Sequence, residues 1–363
     1  MQMRHLTPGN AIRREKSSCV LQIAFFTVLF SAVLPWFVAP TTHVTTKPVT
    51  FTNTGATLRG TLYLPDSMQR VPAVVVFHGA SEPLAGTPLY RHLADGLTQL
   101  GMAVLLFDRR GSGGSTGSEN VPYQLLADDG IAAAQALRAM PEIDPQRVGY
   151  WGISQGGWLA TFAAVRDPRA AFAVAVSAPL TTPESQMEFA DANRLHVLGY
   201  SKADIADMLE ARKMWTGYLR RTNSRADAVA AVAKIENKPW YQYMYMPTVA
   251  QLKGPAESTW RTQMDDNPMA LVQRVTIPVL FILGSSDPWI PVAPTLDALH
   301  TVAASHRNIA YTVVPNVNHL MMRPPVPERM ADAAPEAVKS EVPDSPAYFM
   351  ELAKWLTRIL VLN

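Results

Sequence analysis

A single cysteine, Cys19, in 363 residues excludes an internal disulfide and any cysteine-based metal site. Charge is also sparse: 17% of the residues are Asp, Glu, Lys or Arg, and the net charge is only +2. No strong basic field favours nucleic acid, and no acidic run suggests a solvating tail. Internal repeats and low-complexity tracts are missing as well. What remains is a length sufficient for one large α/β domain with an inserted subdomain, or for two ordinary domains, and hence for a sizeable core.

The most biased segment is N-terminal. Arg4, Arg13, Arg14 and Lys16 precede an uncharged stretch from Ser17 to Thr46, whose apolar part is "CVLQIAFFTVLFSAVLPWFVA". About twenty apolar residues are long for a signal-peptide core and close to what spans a bilayer, while Gln22 and Pro35 weaken the stretch as a permanent helix. Residues 1–47 are therefore expected to target the chain to a membrane, as a cleaved signal or an uncleaved anchor. The positive flank stays in the cytoplasm, which places the rest in the periplasm or outside the cell.

After Lys47 the pattern reads β, β, then alternating β and α, which implies a mostly parallel sheet covered by helices. "TFTNTG" and "ATLRGTLYLP" read as an opening hairpin, and "PAVVVFHG" and "MAVLLFD" as buried central strands. The alternation breaks at Leu180. From Thr181 to Arg274 helical stretches rich in Met, Trp and Tyr are divided by prolines, and this region reads as an inserted helical cap between core segments 48–180 and 275–363. "IPVLFILGSSD", "APTLDALHTVAA" and "NIAYTVVPN" then restore strand, helix and strand. A proline-rich loop, read as a surface insertion, precedes a closing helix.

The chemistry centres on "VGYWGISQGGWLATFAAV". Gly152 and Gly156 stand two residues either side of Ser154, giving G-x-S-x-G between a short β-prone run, Arg147–Trp151, and a small-apolar helical one. "GGSTG" matches the same pattern around Ser115, but it is not reached directly from a strand and leads into no helix, so Ser115 reads as loop. A serine nucleophile needs a base, a group to orient that base, and donors for an oxyanion. His319 in "PNVNHLMM" follows the last strand, and Asp287 in "FILGSSDPWIP" ends the strand before it. Both sit at carboxyl ends, where catalytic groups gather in open α/β sheets. The order Ser154, Asp287, His319 is the order such triads take on this kind of sheet. Backbone amides of Gln155 and of Ala80, with Ser81 next, are the expected oxyanion donors, and His78-Gly79 would shape that loop. "DRRGSGGSTG" fits neither G-x-G-x-x-G nor a P-loop, so Asp108, Arg109 and Arg110 read as loop organisers.

"HGAS", "DRRGSGGSTG", "GISQGG", "GSSD" and "NVNH", in this order, resemble the α/β-hydrolase superfamily, with acyl esterases of the dienelactone hydrolase, prolyl oligopeptidase and serine aminopeptidase branches most alike. The resemblance runs from Phe51 to the C-terminus apart from the cap. It implies an eight-stranded mostly parallel sheet with Ser154, Asp287 and His319 as triad. The expected activity is hydrolysis of carboxylic esters through an acyl-enzyme, with no metal or organic cofactor and with a small-molecule ester or short peptide as substrate. Aminopeptidase, dipeptidyl peptidase or thioesterase activity would use the same groups, Glu184, Glu188 and Asp191 being the candidates for holding a peptide's free amino terminus. A membrane-tethered binding protein on a degenerate hydrolase fold is the non-enzymatic alternative. Trp215, Trp240, Tyr241 and Tyr243 read as cap core first and as an acyl pocket second.

Overall fold

The computed structural model describes residues 44–80, 84–323 and 343–360. Eight strands form one sheet: β1 (Val44–Asn53), β2 (Ala56–Pro65), β3 (Val71–Phe77), β4 (Ala103–Phe107), β5 (Ile143–Ile153), β6 (Ala173–Val176), β7 (Val279–Gly284) and β8 (Ile309–Val314). Their order across the sheet is β1-β2-β4-β3-β5-β6-β7-β8. The β1–β2 and β2–β4 pairs are antiparallel, and every later pair is parallel. The expected eight-stranded, mostly parallel α/β sheet is therefore present.

The continuous apolar runs are explained by burial on both faces. Along β3, Ala73, Val75 and Phe77 enter one core layer while Val74 and Val76 enter the other, and β4 divides in the same way. Helices α2 (Tyr123–Arg138), α3 (Gln155–Arg166) and α9 (Val292–Ser305) cover the first layer. Helices α1 (Pro88–Gln99) and α10 (Pro346–Leu360) cover the second. The carboxyl ends of β3 to β8 thus share one edge, the edge at which open α/β sheets bind ligands.

Two boundaries differ from the sequence reading. β1 begins at Val44, inside the stretch assigned to the targeting segment, because its ladder to β2 extends back to the pair Val44 and Pro65. β5 begins at Ile143 and runs through Pro145. The ladder to β3 breaks between the pairs Val71–Ile143 and Ala73–Val148, which leaves the proline where no donated hydrogen bond is required. The rest of the targeting segment, and most of the proline-rich loop, lie outside the described residues. Among the described residues no helix is long and apolar enough to cross a membrane.

Between β6 and β7 the chain forms α4 (Pro183–Val197), α5 (Lys202–Leu219), α6 (Arg225–Ile235), α7 (Thr259–Gln263) and α8 (Pro268–Val272). Ser201 and Ser224 start α5 and α6 with reciprocal capping boxes to Asp204 and Asp227, which satisfy orphan first-turn donors. The insertion has its own core, in which Trp215, Trp240, Tyr241 and Met264 are buried, with Tyr243 packed against them. Those aromatics are structural. The end of the insertion is different, since Val272 and Val275 belong to the main core beside Val279.

Candidate active site

Ser154 leaves β5 and caps α3 with φ 56° and ψ −122°, a region that costs a non-glycine residue of order 1–3 kcal/mol. Its N–H donates to the Val176 carbonyl at 2.8 Å and its carbonyl accepts from Gly157 N at 2.9 Å, so the turn is pinned from both sides. The glycines are there for close approach. A Cβ at Gly152 would lie 1.9 Å from the Gly156 carbonyl oxygen, and one at Gly156 would lie 2.2 Å from the Phe77 carbonyl oxygen. Helix α3 can therefore start directly against β3 and β5 only if both positions carry no side chain.

Asp287 and His319 are brought together as expected: His319 Nδ1 donates to Asp287 Oδ2 at 2.8 Å. The Asp287 side chain is fully buried, and its other oxygen accepts from Trp289 N at 2.8 Å. With Nδ1 donating to the carboxylate, Nε2 is the nitrogen left to take up a proton. The loop that carries the histidine is folded on Asn318, whose Oδ1 accepts from Leu320 N and Met322 N, both at 3.0 Å.

Ser154, Asp287 and His319 emerge from β5, β7 and β8, within four neighbouring parallel strands. The strand between them, β6, supplies a link that the sequence reading missed. Ser177, fully buried and at φ 48°, donates its hydroxyl to the His319 carbonyl at 2.8 Å. Its N–H donates to the Ile282 carbonyl, while the preceding Val176 carbonyl receives the Ser154 N–H. The Val176 carbonyl and the neighbouring Ser177 hydroxyl thus tie the serine turn to the histidine loop.

The loop after β3 is held by Arg109. Its guanidinium donates to the carbonyls of Gly79 at 2.7 Å, His78 at 3.0 Å and Ala80 at 3.3 Å, and Gly79 N donates to the Tyr90 hydroxyl at 2.7 Å. Ala80 is exposed and Gln155 opens α3, where first-turn N–H groups face outward along the axis. Ser81 lies outside the described residues. His78 is buried against Tyr90 and Phe107. Burial first, and then the Arg109 charge, hold its pKa well below the ordinary histidine value, so it is a neutral ring that shapes the loop. Asp108 accepts from Ala85 N and Gly114 N, and Arg110 forms a buried two-bond pair with Asp129. Both organise loops, as read. Ser115 also has a structural task, accepting from Arg59 N and donating to the Asp108 carbonyl.

Two of the three carboxylates considered for an amino terminus, Glu184 and Asp191, are otherwise engaged. Arg212, fully buried, bonds Glu184 at 2.8 and 3.1 Å and Asp191 at 2.7 Å, and Trp260 Nε1 donates to Glu184 at 3.1 Å. Burial pushes the Asp191 carboxyl up to about 6 although Arg212 pulls the other way. Glu188, half-buried, is raised by burial and by Glu184. Among the described residues no group of three or more His, Cys, Asp or Glu could hold a metal ion.

A serine held on a strained strand-to-helix turn, at the carboxyl edge of a mostly parallel sheet with helices on both faces, defines an α/β hydrolase. The sequence matches the family described as serine aminopeptidase, S33, over residues 69–325, and the chain belongs to this family of hydrolytic enzymes. A thiohydrolase from Aspergillus aculeatus is 35% identical over 124 residues, which are 34% of this chain and 38% of that protein. The chain spans about two fifths of the length of the first curated relatives it matches. The crystal structure of an α/β hydrolase, GrgF, from Penicillium aligns with 87% of this chain and 99% of its own at 19% identity, with a TM-score of 0.53. An esterase from Pyrococcus furiosus aligns with 87% of this chain and 91% of its own at 16% identity, also with a TM-score of 0.53. At such identities the two structures speak for the fold alone.

Proposed function

We propose that the protein is a serine hydrolase that cleaves carboxylic esters through an acyl-Ser154 intermediate. The observation that carries this reading is the 2.8 Å bond from His319 Nδ1 to the buried Asp287, placed on the same sheet edge as the strained Ser154 turn. Ser154 Oγ attacks the ester carbonyl while His319 Nε2 takes its proton, and Asp287 holds the ring and stabilises the imidazolium. The Gln155 and Ala80 N–H groups bind the oxyanion. The imidazolium then protonates the departing alcohol, and water attacks the acyl-enzyme by the same route.

Ester cleavage is preferred to aminopeptidase action because Glu184 and Asp191, two of the three carboxylates that could hold a free amino terminus, are bonded to Arg212, which leaves the half-buried Glu188 alone of the three for that task. Thioester hydrolysis is the second reading, favoured by the named thiohydrolase relative. The arginine-flanked apolar stretch at the N-terminus supports placement in the periplasm or outside the cell, with the segment as signal or anchor.

Treating the full-length protein with a fluorophosphonate and locating the adduct by peptide mass spectrometry tests the mechanism. The expected result is an adduct on Ser154, lost in His319→Ala and in Ser154→Ala. A folded protein that takes no label at Ser154 would refute it.

A further inference from the structure

An aromatic side chain beside the histidine, and a second one packed against the first, are left unused by the mechanism. Trp289 stands two residues after Asp287, with its indole centroid 6.2 Å from the His319 ring at 46°. Tyr245, from the insertion, meets Trp289 edge-on at 5.8 Å and is 53% exposed. Trp289 is itself only half-buried. Imidazole, indole and phenol thus form a row from the catalytic edge to solvent.

The row is fixed in place. Trp289 N donates to Asp287, its carbonyl accepts from Gln186 Nε2 at 2.8 Å, and the Pro288 carbonyl accepts from Asn193 Nδ2 at 2.9 Å. The Arg194 guanidinium sits over the indole, 5.0 Å from its centroid, and donates to the Tyr243 carbonyl. Several groups therefore hold a large ring partly open to water instead of burying it, although burial would be the favourable fate of such a surface.

Its place beside His319 decides which part of a substrate it meets. In the acylation step the bond from Ser154 Oγ to the acyl carbon forms and the bond from that carbon to the leaving oxygen breaks. The serine proton passes to His319 Nε2 and from there to the leaving oxygen, so the alcohol departs on the histidine's side. Resting on the serine-hydrolase reading above, we propose that Trp289 and Tyr245 form the leaving-group subsite and select esters whose alcohol portion is a flat aromatic. Such a ring stacks on the indole and extends to the phenol, and an aliphatic alcohol of equal acidity loses that stacking.

The test compares phenyl acetate with hexafluoroisopropyl acetate, which share the acyl group and have alcohols of similar acidity. It uses the full-length protein, Trp289→Leu and Tyr245→Ala, with acylation and deacylation of Ser154 followed separately by mass spectrometry. The wild type should acylate about tenfold faster, as kcat/KM, with the aryl ester, and each variant should lower that ratio. Deacylation, which begins after the alcohol has gone, should be the same for both esters and little changed by Tyr245→Ala. A ratio near one in the wild type, or a ratio untouched by both variants, overturns the subsite while the acyl-enzyme still stands. Equal losses in acylation with both esters would make the rings merely structural and also overturn it. Failure of every ester to acylate Ser154 overturns the hydrolase reading, and the subsite with it.

Discussion

Ser177 is the residue whose removal should separate positioning from stability. Ser177→Gly keeps the left-handed backbone, and relieves its strain, while deleting the hydroxyl that holds the His319 carbonyl. Without the hydroxyl the loop that carries His319 is held less firmly, so kcat should fall severalfold with KM unchanged, while the lost bond, about 1 kcal/mol of stability, is offset by the relieved backbone strain and the melting temperature holds. A loss of kcat that tracks a lower melting temperature would assign Ser177 a structural role only. The Ser154 turn and the Asp287–His319 contact were legible because glycine spacing and strand ends mark these positions in the sequence. Ser177 was not, because a serine ending "AFAVAVS" reads as a small residue in an apolar run, and its partner is a backbone carbonyl 142 positions away. Trp289 was hidden for a related reason. Its neighbour Asp287 was singled out, but nothing local tells an indole facing the site from one in the core.

At the scale of elements, α10 is joined to α1 by a neutral histidine. His92, buried, donates Nδ1 to the Leu89 carbonyl and faces the Tyr348 hydroxyl and the Phe349 ring of α10. Burial lowers its pKa from 6.5 to about 4, and the Leu89 bond opposes this only in part. The unfolded chain therefore binds more protons than the folded one between those values. Stability from this site is complete above pH 6.5 and is lost on acidification through pH 4, on the order of 3 kcal/mol. Melting temperature against pH should fall less steeply between 6.5 and 4 in His92→Phe than in the wild type; equal slopes would exclude the histidine as the source. The strands were read well where both faces are buried, as in β3 and β4, since a short unbroken apolar run between turn residues suits a strand covered on both sides. Boundaries failed where pairing overrode local chemistry. β1 gained Val44–Lys47 from its partner β2, and Pro145 sits within β5 because the ladder steps around it.

On the whole molecule, the order of elements was visible in the sequence, but the use of the insertion's polar residues was not. Glu184 and Asp191 are spaced as any surface acids of a helix would be, and only packing against α5 brings Arg212 between them. The destination of the chain is a further property of the whole. Expressed at full length in a Gram-negative host, the protein should be recovered from the periplasm or the inner membrane, depending on whether the segment is cleaved. Recovery from the cytosol with Met1 or Gln2 as first residue would overturn the targeting reading. A mechanical consequence follows from how α4 grips the turn after Asp287 through Gln186 and Asn193. Lifting α4 would either break these two bonds or carry Pro288 and Trp289 with it, and through the Trp289 N–H bond the Asp287 carboxylate as well. If these bonds hold, moving α4 and unseating the Asp287–His319 pair are one movement.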